Sequence, residues 1–139
     1  MKIKSILERN PIIPAIKDNI TLEKALNSNS EIVFIILANI VNIKEYCDKL
    51  REKNKVIYIH IDMIDGLNST NNGIDYIMNT IKPDGILTTK SNVVAHAYKN
   101  NISVIQRFFI LDTLSYEKAL SNIKENKIVA AEIMPGLMP

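Results

Sequence analysis

The chain has 139 residues, 47% of them hydrophobic and 23% charged, which suits one packed core and the usual balance of a globular protein. A formal net charge of +2 is too mild to announce a nucleic-acid binder, and a single cysteine, Cys47, excludes an internal disulfide and points to a reducing cytoplasmic setting. Asp, Glu, Lys or Asn interrupts every apolar run, so no segment reads as a membrane span or a signal peptide.

Short β-branched runs predict a strand over 12–16, with Lys17 at its end and Thr21 placed to N-cap the next helix. A second strand over 32–37 ends near Asn39. Ile43, Tyr46, Cys47 and Leu50 then fall at i, i+3, i+4 and i+7, one apolar stripe of a helix, so Cys47 reads as packing and not as a nucleophile. Lys49, Arg51, Lys53 and Lys55 read as a solvated surface that complements the helix C-terminus.

The third strand, over 56–61, is the most informative. Alternation sets Tyr58, His60 and Asp62 on one side and Ile57, Ile59 and Ile61 on the other. The isoleucines suit a helix layer, which leaves the polar side for a ligand; the bland alternative is a structural His–Asp hydrogen bond. Ser69 is the next predicted cap, before a helix with the stripe Ile74, Ile77, Met78 and Ile81. A strand over 85–88 is followed by Lys90, then by a helix capped at Ser91 in which His96 reads as surface or packing. Gln106 and Arg107 are neighbours in the strand over 102–109 and face opposite ways, so only one of them can enter a site. The last helix, capped by Thr113 or Ser115, carries Tyr116, Ala119, Leu120 and Ile123 on one face. In the last strand, over 128–134, Ala130, Glu132 and Met134 share a face on which Glu132 is the sole charge. A carboxylate there can accept ligand hydroxyls, pair with a cation or hold a metal.

Alternation of apolar strands with amphipathic helices predicts a parallel α/β fold. No G-x-G-x-x-G or P-loop follows any strand, so no dinucleotide or nucleotide cofactor is indicated. His60, Asp62, Asp65 and Glu132 are a hard-metal set in type, yet no ligand spacing supports a metal. Polar residues recur at the strand ends: Lys17, Asn39, His60, Asp62, Asp65, Lys90, Gln106, Arg107 and Glu132. A TIM-type βα barrel gathers all its strand C-termini at one face, so this pattern favours a barrel over an open sheet. Six βα units fill the chain where closure takes eight, a shortfall on the order of 45–60 residues. The expectation is one βα-barrel domain over 1–139, truncated after its sixth strand. A faint internal echo, Thr21-Leu-Glu-Lys-Ala-Leu against Ser115-Tyr-Glu-Lys-Ala-Leu, fits equivalent helices of a repeated unit.

Five segments together resemble the glycerol uptake operon antiterminator regulatory protein family. They are Pro14-Ala-Ile-Lys-Asp, Tyr58-Ile-His-Ile-Asp-Met-Ile-Asp-Gly-Leu, Pro83-Asp-Gly-Ile-Leu-Thr-Thr-Lys, Ile105-Gln-Arg-Phe-Phe-Ile-Leu-Asp and Glu132-Ile-Met-Pro-Gly-Leu-Met-Pro. The resemblance implies a βα barrel that responds to glycerol 3-phosphate and acts on the leader mRNA of glycerol-utilisation genes. It implies a regulator and not an enzyme. Lys17, His60, Asp62, Lys90, Gln106, Arg107 and Glu132 stand at the family's strand-end motif positions and are the candidate ligand-binding residues. In the family the chain continues into two further units, and the last strands of phosphate-binding barrels usually grip the phosphate. A six-unit chain would expose strand edges and an apolar docking surface that favours association between copies.

Two other readings stand beside the regulator. One is an enzyme on a phosphorylated polyol or sugar, with His60 and Asp62 as acid–base groups and Lys90 or Arg107 on the phosphate. The other is an inactive, truncated family member.

Overall fold

The computed structural model describes residues 3–125 and 128–134. The chain forms two compact units that meet in sequence between Gly85 and Ile86. The first contains α1 (Ile3–Arg9), β1 (Ala15–Ile16), α2 (Asn19–Leu26), β2 (Ile32–Ile35), β3 (Ala38–Asn39), α3 (Ile43–Glu52), β4 (Val56–His60), β5 (Ile64–Asp65) and α4 (Asn71–Tyr76). The second contains β6 (Gly85–Thr88), whose first residue belongs to the first unit, then α5 (Ser91–Lys99), β7 (Ser103–Phe109), α6 (Thr113–Glu125) and β8 (Ala130–Met134).

In the first unit β1, β2 and β4 lie in that order and pair in parallel, with Phe34 opposite both Ala15 and Tyr58. In the second the order is β6, β7, β8, and β7 pairs with β8 in parallel. The fold is α/β of the TIM-barrel type: parallel strands, neighbours in chain order, with a helix between each strand of the sheet and the next. Both faces of β2 and β4 are buried at Ile32, Val33, Ile35, Ile57, Tyr58 and Ile59, as parallel sheets require. Among the described residues no helix is long and apolar enough to cross a membrane.

The predicted strands are all present, β6 on the expected residues and the others shorter at one end. Residues 12–14 stay outside β1, because Pro14 has no N–H to give the ladder, though its carbonyl accepts from Phe34 N–H at 3.0 Å. β4 stops at His60, and Ile61–Met63 tighten into a 3-10 turn. Asp62 therefore leaves the alternation that carries Tyr58 and His60. Two short strands, β3 and β5, then form a separate parallel ribbon, with Ala38 opposite Ile64 and Asn39 opposite Asp65.

The helix stripes hold where a partner exists. Ile43, Tyr46, Cys47 and Leu50 of α3 are all buried. α4 runs on into one π turn, Ile77–Ile81, closed by Lys82 N–H to Ile77 O at 2.9 Å, and left-handed Lys82 ends it. α6 differs from expectation. Ala119 and Ile123 pack with Phe108, Ile110 and Ile128, while Tyr116 and Leu120 remain 52% and 41% exposed.

The caps shift by a residue or more. Asp18, not Thr21, is the N-cap of α2, and Thr21 is its capping-box partner at the third helical position. Thr70, not Ser69, caps α4 by accepting from Gly73 N–H at 3.2 Å. Lys90, not Ser91, occupies the N-cap of α5 and makes no side-chain cap bond. The basic stretch is also less idle than a solvated surface. Arg51 donates to Ile81 O at 2.7 Å and Lys82 O at 3.1 Å, and Lys55 donates to Ser28 O and Ser30 O at 2.8 and 2.6 Å.

Candidate functional site

In the first unit, Lys17 directly follows β1 and is exposed. Its N–H and that of Asp18 donate to Thr21 Oγ1 at 2.9 and 3.0 Å, while Asp18 Oδ1 accepts from Thr21 N–H at 2.8 Å. The Thr21 N–H, then its hydroxyl, hold the Asp18 carboxyl below its usual value. Lys17 is thereby fixed at the mouth of α2, beside a carboxylate that stays ionised.

His60 is the last residue of β4 and only 2% exposed, so it is part of the packed strand end. Beyond it the chain builds a wide-open cavity of about 560 Å³ at the surface. Leu37, Met63 and Leu67 give it apolar wall, and Asp62, Asp65 and Asn68 give it polar atoms. Its floor depends on the ribbon, where Ile40 N–H reaches Asp65 O at 2.9 Å. Leu67 N–H bonds back to Ile64 O at 3.1 Å around Gly66, whose φ is +86°. A Cβ at Gly66 would stand 2.8 Å from Ile40 Cγ2, so glycine serves both the turn and the close approach. With two carboxylates on its wall this cavity suits hydroxyl or cationic groups better than a phosphate. Asn39 does not join it as a ligand: its Oδ1 accepts from Val41 and Asn42 N–H groups, and Asn42 Oδ1 accepts from Asn39 N–H.

In the second unit, Lys90 is exposed at the start of α5, its N–H held by Thr88 Oγ1 at 3.0 Å. The opposition of Gln106 and Arg107 is resolved by packing. Gln106 shares its side of β7 with Phe108, which packs on α6, and donates to Ser91 Oγ at 3.4 Å. Arg107 lies on the face away from α6 and stands opposite Glu132 of β8. The two make an ion pair, Arg107 Nη2 to Glu132 Oε1 at 2.7 Å and Nε to the same oxygen at 2.8 Å. Ile105 and Ala130 flank the pair on one side, Phe109 and Met134 on the other.

Asp112 and Ser115 repeat the cap of α2. Asp112 Oδ1 accepts from Ser115 N–H at 2.7 Å, and Ser115 Oγ accepts from the N–H groups of Asp112 and Leu111 at 3.0 and 2.8 Å. The sequence echo between α2 and α6 is thus an echo of local structure. His96 lies on α5, with its carbonyl accepting from Asn100 Nδ2 at 2.8 Å. Among the described residues no group of three His, Cys, Asp or Glu side chains is placed to hold a metal.

The comparison that decides the family covers most of the chain: the model of the glycerol-3-phosphate responsive antiterminator family matches residues 12–139. The chain belongs to that antiterminator family. A curated relative, the uncharacterized protein YgcP of Escherichia coli K12, is 29% identical over 139 residues, the whole of this chain and 73% of its own. The crystal structure of a glycerol uptake operon antiterminator regulatory protein from Listeria monocytogenes superposes with a TM-score of 0.84. It is 27% identical and spans 91% of this chain and 69% of its own. A glycerol uptake operon antiterminator-related protein from Thermotoga maritima gives 0.78 at 26% identity, over 89% of this chain and 70% of its own.

Within the antiterminator framework, the family segments fall on the strand ends just described. The exception is residues 135–139 of the last segment, which lie outside the described residues. The sequence reading missed Leu37, Met63 and Asn68 as cavity residues, because the cavity rests on the two-residue ribbon. The Asp65-Gly66 turn pair was the available signal.

Proposed function

We propose that this chain senses glycerol 3-phosphate and, with effector bound, acts on the leader mRNA of glycerol-utilisation transcripts to prevent early termination. The single observation that carries the reading is the family match over residues 12–139. Lys17, Lys90 and Arg107 are assigned as cations that can contact the phosphate, and His60 and Asp62 as polar groups that contact or position the effector, while Gln106, on the opposite face of β7 from Arg107, is assigned a positioning role only. Glu132 is assigned as the partner of Arg107.

RNA contact rests on the family, since the net charge is small and the densest basic stretch spends Arg51 and Lys55 on backbone carbonyls. The test is leader-RNA binding followed by fluorescence anisotropy, with and without glycerol 3-phosphate, over a salt series. The reading expects tighter binding with effector and an affinity that falls steeply with salt through counterion release. RNA affinity indifferent to effector would contradict it. Turnover of glycerol 3-phosphate that is lost in His60→Ala would favour the enzyme reading instead.

A further inference from the structure

The Arg107–Glu132 pair is built in an unusual way for a carboxylate and a guanidinium. Both Arg107 donors, Nε and Nη2, converge on Glu132 Oε1, so the two-oxygen fork that such pairs prefer is not used. Glu132 Oε2 is buried and has no hydrogen-bond partner among the described residues. A desolvated carboxylate oxygen without a donor is costly, so the pair is held by position more than by complete satisfaction. The position comes from register, since Arg107 and Glu132 are direct partners on adjacent parallel strands. The two side chains are 17% and 21% exposed, which leaves an edge of the pair open to a small solute. On β8 the small Ala130 neighbours Glu132 on that face, and among the described residues β8 has a strand, β7, on one side only.

We propose that Glu132 is a resident competitor for Arg107, an internal anion that a phosphate monoester displaces. The inference rests on the effector reading above and deepens it to the control of one cation. A phosphate monoester offers several terminal oxygens and up to two negative charges, so it can take the guanidinium fork with two oxygens where Glu132 gives one. Released, the carboxylate returns both oxygens to water, which removes the buried, donorless Oε2. The exchange moves one anion for another and needs no proton transfer. Its consequence is a threshold: weak anions leave the pair closed, and a phosphate monoester opens it.

The experiment is titration calorimetry of the folded chain with glycerol 3-phosphate and separately with inorganic phosphate, comparing wild type, Glu132→Gln, Arg107→Gln and the double variant. Glu132→Gln is expected to bind both probes roughly tenfold more tightly, because a neutral amide competes less well for the guanidinium. The gain should vanish in the double variant, since it acts through Arg107. Glu117→Gln, an exposed carboxylate removed from α6, controls for net charge and should leave binding unchanged. Weaker or equal binding by Glu132→Gln would overturn the proposal, weaker binding making Glu132 a ligand contact. A gain that persists without Arg107 would also overturn it. If wild type binds no glycerol 3-phosphate, the effector reading fails by itself, and the competitor role is then decided by the inorganic phosphate arm. Should Glu132→Gln not unfold cooperatively, Glu132→Asp, one methylene shorter, is expected to show the same gain in smaller measure.

Discussion

Single residues carry more of this structure than their chemistry suggests. Gly73 lies so close to the preceding loop that a Cβ would stand 1.9 Å from Asn68 O, a backbone atom that cannot yield cheaply. Gly73→Ala is expected to destabilise the chain by on the order of 3 kcal/mol, read from urea unfolding. A change within a few tenths would mean that the approach relaxes. Cys47 sits on the buried stripe of α3, and burial pushes its thiol up to about 12. The native protein should therefore leave a disulfide reagent unreacted at pH 8, and release one equivalent of chromophore only when denatured. Rapid reaction in the native state would show that α3 opens locally.

At the scale of elements, the two capping boxes are the repeated device. Thr21 and Ser115 hold Asp18 and Asp112 below the ordinary carboxylate value. A carboxylate favoured in the fold stabilises fully above its unfolded pKa, about 4, and that contribution is lost as pH falls through the lower folded value. Asp18→Asn keeps a capping acceptor but cannot titrate, so the wild-type advantage in melting temperature at pH 7 should shrink below about pH 4. Parallel curves down to pH 2 would contradict the assignment. The elements themselves were legible in sequence, because apolar runs and helical spacing report burial directly: β6 falls on the expected residues, and the stripe of α3 is wholly buried. Their ends were not. Ile-His-Ile-Asp continues a strand pattern on paper, yet the chain turns after His60 to form the ribbon, and nothing local in that alternation announces a 3-10 turn. The exposed Tyr116 and Leu120 show the same limit, since a stripe states what a helix is able to bury and not whether a partner lies against it.

For the whole molecule, the family is fixed by a match that runs from residue 12 to 139, and the structural relatives share the fold over about nine-tenths of the chain. The candidate residues were legible as strand-end polar groups, and their pairing was not: only the strand register shows that Arg107 and Glu132 meet and that Gln106 turns away. The relatives are longer, this chain spanning 69% to 73% of two of them. Whether six βα units suffice for the effector is accordingly the central question. Thermal unfolding of this chain across a glycerol 3-phosphate series answers it, because a ligand that binds only the folded state must raise the midpoint with concentration. The account predicts such a rise, and none with glycerol alone. A cooperative transition whose midpoint ignores glycerol 3-phosphate would contradict it.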